Sequence, residues 1–255
     1  MKRLRCISVL LAVLLLSSSM VHATGTEPSK NTGAFTTEAT EVVPSEIDEW
    51  NLILVNPWNQ IPADHQFTHQ KLANGMTVDQ RIYADLCAML SDCWKAGLHP
   101  VVCSAYRPYS TQQRLYRNKI SRLLNEGYSY SAAVQEAGRW VAPPGTSEHQ
   151  TGLALDIVSY RYQILDQKQE ETAEQKWLMA HCWEYGFVLR YPPDKSELTG
   201  IGYEPWHYRY VGRDTAAEMK ETGMCLEEYV QYLKQSIPLL IADELRMYMK
   251  EKQVR

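Results

Sequence analysis

The sequence predicts an α+β fold, in which a small antiparallel sheet carries the candidate site and helices pack around it. Apolar residues recur at helical spacing in several segments, and short runs rich in apolar, β-branched or aromatic residues lie between them. These two patterns do not alternate strictly along the chain, as they would in an α/β fold. The length allows one domain with an ample core, and no internal repeat is visible.

The helices are predicted from apolar periodicity and from residues typical of helix ends. Val78, Ile82 and Leu86 recur on one face of the first helix, and this pattern stops at Gly97. The second helix is expected to have Ser110 or Thr111 as its N-cap. The predicted helices span residues 78–97, 110–125, 129–140, 171–185 and 213–223, with Gly223 past the end of the last.

The strands are predicted from shorter runs. Residues 153–158 are apolar apart from Asp156 and follow a loop rich in Gly, Pro and Ser. Residues 203–211 are aromatic-rich and enter their strand through Pro205. The other predicted strands span residues 99–104, which would deliver Arg107 to the site, and 187–191.

Two of these segments supply the parts of a hydrolytic metal site. A catalytic zinc ion takes three protein ligands of the His, Asp or Glu type and keeps a fourth position open for water. We predict His149, Asp156 and His207 as the ligands of one zinc ion. Glu204, three residues before His207, can then act as general base toward the water.

Simpler interpretations of the same residues exist. A single His in a strand is more often a core residue than a ligand, and an Asp after an apolar run is more often a cap or turn residue. A serine or thiol hydrolase built on Ser147 or Cys103 with His149 lacks an obvious third orienting group.

At these residues the chain resembles the VanY-type zinc D-alanyl-D-alanine carboxypeptidases. The wider group also holds D-Ala-D-Ala dipeptidases, L,D-carboxypeptidases and the fold of the Hedgehog signalling domain. The resemblance extends over residues 50–232 and is specific, because many motifs follow in the family's order. The shared segments are 50–56, 104–107, 111–112, 115–116, 143–156, 177–178, 185–192, 199–201, 204–212 and 226–229.

The resemblance implies a role for each candidate site residue. The metal ligand positions fall on His149, Asp156 and His207, and the catalytic base position on Glu204. Arg107 falls where the family has an arginine that holds a substrate carboxylate or the developing oxyanion, which suits its planar fork of donors. The expected substrate-binding residues are Arg107, Gln112, Ser147 and Trp206.

The chain departs from the family pattern around the arginine motif. Ala105 and Pro108 stand where the family usually has Gly and Ser. This exchange should stiffen the turn without removing Arg107.

The resemblance implies a D,D-carboxypeptidase that removes the terminal D-Ala from peptidoglycan stem pentapeptides. An L,D-carboxypeptidase acting on tetrapeptide stems and a D-Ala-D-Ala dipeptidase remain open, because sequence does not reveal the pocket walls that read stem length. A zinc-stabilised module that binds cell wall without catalysis is a third alternative. Against it, Glu204 and Arg107 are present, and a purely structural site normally completes its fourth ligand with protein.

The N-terminal segment predicts export. Residues 1–23 have basic residues, a short apolar core and a small-residue end at Ala23, as in a signal peptide, although an uncleaved anchor is the alternative. We expect residues 24–46 to be a disordered linker, 47–235 the carboxypeptidase domain and 236–255 a helical extension. The enzyme would work outside the cytoplasm and meet a membrane only through an uncleaved N-terminus.

Net charge and cysteine spacing argue against nucleic-acid binding and against a Cys-rich zinc site. Signal removal would change the formal net charge from -4 to -7, which makes the chain a poor nucleic-acid binder. Five cysteines would remain, none closely paired in spacing, so we predict buried inert thiols rather than a Cys-rich zinc site.

Overall fold

The computed structural model describes residues 50–236, together with Ala242 and Arg246. It confirms an α+β fold. The strands are β1 (His69–Lys71), β2 (Thr77–Asp79), β3 (Pro100–Ser104), β4 (Ala154–Ser159), β5 (Phe187–Leu189) and β6 (His207–Tyr210). The helices are α1 (Tyr83–Lys95), α2 (Tyr109–Asn125), α3 (Tyr130–Gly138), α4 (Ala173–His181), α5 (Ser196–Thr199), α6 (Arg213–Thr222) and α7 (226–236).

The main sheet has four antiparallel strands in the order β3-β4-β6-β5. All six residues of β4 are buried, as its apolar sequence requires for a central strand. The register between β3 and β4 shifts between Val102 and Ser104, a bulge of the kind that re-aims side chains beside functional sites. A separate hairpin pairs β1 with β2.

The main hydrophobic core lies between the four-stranded sheet and helices α1 and α4. Leu86 and Met89 of α1 and Leu178 of α4 pack with Leu155 and Ile157 of β4, and all five side chains are fully buried. A second cluster packs α6 and α7 against the segment that precedes β1; its members include Leu52, Val211, Met219, Leu226 and Val230. The described segments before β1 and after β6 are therefore part of the same fold as the sheet.

Three predictions about helix beginnings are wrong. Helix α2 starts at Tyr109, and its N-cap is Pro108, whose fixed φ of -65° leads the chain into the helix without a side-chain cap. Val78 lies in β2 rather than in a helix, because this segment pairs with β1. Helix α4 begins two residues later than predicted, since the Thr172 side chain caps it by accepting a hydrogen bond from the Gln175 amide.

Several predictions fall on residues that the structure does not describe. The signal segment 1–23, the linker 24–46 and most of the extension 236–255 lie outside the described residues. Across the described part of the chain, no helix combines the length and apolar character needed to cross a membrane.

The five cysteines of the described residues form no disulfide with one another. Cys87 is exposed, whereas burial raises the pKa of both Cys93 and Cys182 to about 12.

Only a thiolate reacts rapidly with alkylating reagents. We expect a short iodoacetamide pulse on the native protein to label Cys87 and to spare Cys93 and Cys182, as read by peptide mass mapping. A Cys87→Ser variant should lose that fast label, and fast labelling of Cys182 would contradict the buried placement.

Candidate metal centre

Strands β4 and β6 bring two of the predicted ligands face to face. Asp156 and His207 are directly opposite each other across these antiparallel strands, so their side chains share one face of the sheet. The Asp156 Oδ1 and His207 Nδ1 atoms lie 3.1 Å apart, and both residues are buried. The sheet register therefore fixes half of the candidate site.

The third predicted ligand lies in a single turn of 3-10 helix, Glu148–Thr151, just before β4. His149 Nδ1 lies 2.8 Å from the carbonyl oxygen of Ala105 and donates to it, which leaves Nε2 directed at Asp156 Oδ2 at 3.2 Å. The turn ends at Gly152, whose φ is +77°. A Cβ atom at Gly152 would lie 2.6 Å from the Phe67 ring, so glycine is required for both conformation and space.

The donor set fits a metal ion. One ligand atom from each of His149, Asp156 and His207 lies within 4.8 Å of the other two. Within residues 50–236, the buried Nε2 of His149 has no hydrogen-bond partner, although it faces a carboxylate oxygen. Two acceptors that face each other in a buried site are unfavourable unless a cation lies between them. Two imidazoles and one carboxylate are the donors of a catalytic zinc site.

The ionisation of the three groups also suits metal binding. Burial and the nearby charge of Arg107 together lower the pKa of His149 to about 4, so this imidazole is neutral at pH 7. Burial opposes ionisation of Asp156, but His149 and His207 hold its pKa well below the usual range. Burial also opposes protonation of His207, but the contact of Nδ1 with Asp156 and the nearby carboxylate of Glu148 raise its pKa to about 9. A metal ion would displace that proton.

Glu204 is placed to act beside this group. Its Oε2 atom lies 3.7 Å from His207 Nδ1, and its backbone amide donates to the carbonyl of Tyr191 at 3.2 Å. Burial raises the pKa of Glu204 to about 8. A divalent cation nearby favours the carboxylate form, which a general base requires.

Arg107 lies on the other side of Asp156. Its Nη2 is 3.6 Å from Asp156 Oδ2, and its Nη1 donates to Gln112 Oε1 at 3.0 Å. Its backbone amide donates to the His149 carbonyl at 3.0 Å, which ties the arginine segment to the ligand turn. The Nε of Arg107 is buried and has no partner among the described residues, so a donor remains for an incoming oxygen.

The other three predicted substrate-binding residues, Gln112, Ser147 and Trp206, are all buried. Gln112 uses both ends of its amide, since Oε1 accepts from Arg107 and Nε2 donates to the Ala142 carbonyl at 2.7 Å. These two hydrogen bonds orient Arg107 and leave the Gln112 amide with little hydrogen-bonding capacity for a substrate. Ser147 directly precedes the ligand turn, and its carbonyl accepts from the Gln150 amide. The Trp206 carbonyl accepts from the Ile157 amide, which fixes the start of β6.

Sequence reasoning missed a set of buried charges behind the candidate ligands. Glu148, Arg190 and Arg209 have fully buried side chains. Glu148 Oε1 accepts from Arg190 Nε at 2.7 Å and from Arg209 Nη1 at 2.6 Å. The signal in the sequence was one arginine directly after β5 and another within β6, in runs whose other residues are mostly apolar or aromatic.

The structure gives no support to a thiol nucleophile at Cys103. Its Sγ donates to the Asp156 carbonyl at 3.5 Å. Burial raises the pKa of the Cys103 thiol to about 12, and Asp156 adds to this effect. Cys103 is therefore protonated at neutral pH.

Comparison with known proteins matches the part of the chain that contains the candidate metal centre. The sequence model of the VanY family, described as D-alanyl-D-alanine carboxypeptidase, matches residues 75–213. A D-alanyl-D-alanine carboxypeptidase of Enterococcus faecalis (strain ATCC 700802 / V583) is 39% identical over 227 residues, which is 89% of this chain and 82% of the relative.

Solved structures of relatives share the fold. VanYB in complex with D-alanine-D-alanine is 42% identical, with a TM-score of 0.67 over 72% of this chain and 98% of that one. A glutamate-to-alanine mutant of the D,D-pentapeptidase VanY in complex with Zn(II) is 41% identical, with a TM-score of 0.66 over 71% and 99% of the two chains. With its fold and its sequence both matched, the chain belongs to the VanY family of D-alanyl-D-alanine carboxypeptidases.

Proposed function

We propose that the chain is a zinc-dependent D,D-carboxypeptidase that removes the terminal D-Ala from peptidoglycan stem pentapeptides. The observation that carries this proposal is the buried group of His149, Asp156 and His207, with ligand atoms within 4.8 Å of one another and with Glu204 and Arg107 beside it. A purely structural zinc site would normally be completed by a fourth protein ligand. The additional carboxylate on the Nδ1 side of His207 is that of Glu204, whose Oε2 lies 3.7 Å from this nitrogen and which would act as a base rather than as a ligand.

Hydrogen-bond geometry supports one ligand atom on each histidine. His149 would bind through Nε2, because its Nδ1 is used by the Ala105 carbonyl. His207 would bind through Nδ1, which faces Asp156 Oδ1. A zinc ion held there supplies Lewis acidity toward the scissile carbonyl and lowers the pKa of water.

Glu204 moves the proton in the reaction. Its carboxylate takes a proton from the attacking water, whose oxygen forms the new bond to the carbonyl carbon of the penultimate residue. As the peptide C–N bond breaks, Glu204 gives this proton to the amine of the departing D-Ala. The products are free D-Ala and a stem shortened by one residue.

Arg107 supplies positive charge to the substrate. Its unpaired Nε and its fork of donors suit a carboxylate or a developing oxyanion. Gln112 holds the guanidinium in place from behind through the 3.0 Å bond to Nη1. We propose the site of action to be outside the cytoplasm, since peptidoglycan stems are there and residues 1–23 have the pattern of an export signal.

The purified chain should release D-Ala from a muramyl pentapeptide. A chelator should abolish the release and added zinc should restore it, because the metal supplies the Lewis acidity that the proposed reaction requires. A tetrapeptide stem and free D-Ala-D-Ala, assayed in parallel, test the substrate range. Release from the tetrapeptide alone would replace the proposal with an L,D-carboxypeptidase, and release from the dipeptide alone with a dipeptidase. Zinc binding with no release from any of the three would favour a binding module.

A further inference from the structure

A chain of buried charges connects helix α7 to the candidate metal centre. Arg190 donates to Glu227 on α7 through Nη1 at 2.8 Å and Nη2 at 2.6 Å. Through Nε, the same guanidinium donates to Glu148 Oε1 at 2.7 Å. Arg209 adds a second donor to that oxygen at 2.6 Å. Asn56 donates to Glu227 Oε1 at 3.0 Å from the segment before β1.

The other carboxylate oxygen of Glu148 faces His207. Glu148 Oε2 lies 3.5 Å from His207 Nε2, both atoms are buried, and neither has a hydrogen-bond partner among the described residues. The opposite nitrogen of the ring, Nδ1, faces Asp156 Oδ1 at 3.1 Å. Each of the two unpartnered atoms is thus placed to satisfy the other.

We propose that Glu148 is a positioning residue for the metal ligand His207. Its Oε2 accepts the proton of Nε2, which leaves the lone pair on Nδ1 for the metal, and the Arg190 and Glu227 pair holds Glu148 in place. This inference rests on the metal site of the proposed function. Ligand histidines commonly donate their second ring N–H to a carboxylate, which fixes the tautomer and the ring orientation.

The charges of the network explain how a carboxylate can stay ionised at zero exposure. Arg190 Nε and Arg209 Nη1 both donate to Glu148 Oε1, at 2.7 Å and 2.6 Å, so two guanidinium groups compensate this buried carboxylate. The two guanidinium groups balance the two carboxylates of Glu148 and Glu227, so the network has no net charge. Removing one partner would leave an uncompensated charge in the interior.

The charge network includes residues that lie outside the region matched by the family model. Glu227 lies beyond residues 75–213, and Asn56 lies before them. Helix α7 is anchored by Leu226 and Val230 in the second core cluster. The position of His207 is thereby supported from both flanks of the matched region.

Two isosteric variants of the full chain, Glu148→Gln and Glu227→Gln, test the proposal. Both remove one carboxylate charge from the network, but only Glu148 faces His207. Zinc Kd values are measured by competition with a chromophoric chelator, and the stability of the metal-free proteins by urea unfolding. We expect Glu148→Gln to weaken zinc binding by about 10–100-fold and Glu227→Gln to weaken it less. These readouts do not depend on which stem peptide is cleaved.

Equal changes in zinc Kd for the two variants would overturn the proposal, since Glu148 would then act only through stability. An unchanged Kd for Glu148→Gln would overturn it as well. If Glu148→Gln does not fold, the zinc-loaded wild-type protein decides by NMR of the histidine rings. We expect a proton on Nε2 of His207 and on Nδ1 of His149. A proton on Nδ1 of His207 in the zinc-loaded protein would reject the proposed arrangement.

Discussion

Replacing Glu204 by Gln is expected to lower kcat for D-Ala release by about 10²–10⁴-fold while zinc remains bound. The amide keeps the size of the side chain but cannot take a proton from water. Glu204 lies beside the ligands rather than among them, with Oε2 3.7 Å from His207 Nδ1, so its charge is not needed to hold the metal. Steady-state kinetics on the pentapeptide and zinc analysis of the same preparation measure both properties.

Glu170→Gln is the matched control for this experiment. Glu170 is exposed and accepts a hydrogen bond from the Tyr203 hydroxyl at 2.8 Å, so it neighbours the Glu204 segment without facing the ligands. We expect this variant to keep wild-type kinetics. Full activity of a zinc-loaded Glu204→Gln protein would remove Glu204 from the mechanism and require another base.

Replacing Asp156 by Asn is expected to abolish stoichiometric zinc binding and to lower activity by about 10³-fold or more, because metal activation contributes several kcal/mol. Asp156 is the only carboxylate in the three-residue group and touches both histidines, at 3.2 Å from His149 Nε2 and 3.1 Å from His207 Nδ1. It also faces Arg107 Nη2 at 3.6 Å. Elemental analysis after dialysis and D-Ala release measure the two losses.

Asp194→Asn provides the comparison for Asp156→Asn, because Asp194 is an exposed carboxylate and the substitution is the same. It should bind one zinc ion and keep its activity. An Asp156→Asn protein that retains zinc at unit stoichiometry would contradict the ligand assignment. Restored activity in excess zinc would instead indicate a weakened site rather than a lost one.

The sequence was sufficient to predict which elements carry the candidate ligands, because their local patterns are strong. An apolar run interrupted by Asp156 and an aromatic run that holds His207 predict buried strands, and the structure pairs them as β4 and β6. The turn that carries His149 was predictable as a loop from its Gly, Pro and Ser content. The chemistry of these residue types then suggested a metal.

The supporting charges were not predictable in the same way. Glu148 meets Arg190 and Arg209 across 42 and 61 residues of sequence, so no local pattern records the contact. Hairpin β1-β2 was also missed, since each strand has three residues and β1 is polar. The boundary of α2 followed Pro108 rather than the hydroxyl residues after it, because a rigid φ can begin a helix without a side-chain cap.

Because Asp156 and His207 are paired across β4 and β6, the proposed metal site forms only when these two strands are in the correct register. A slip of β6 by one residue along β4 would bring Trp206 or Tyr208 opposite Asp156 and turn His207 to the far side of the sheet. Misaligned sheets of this chain would therefore also be unable to bind the metal, and zinc would select the correctly paired molecules from any mixture. Metal occupancy in this protein then reports on the accuracy of folding as well as on readiness for catalysis.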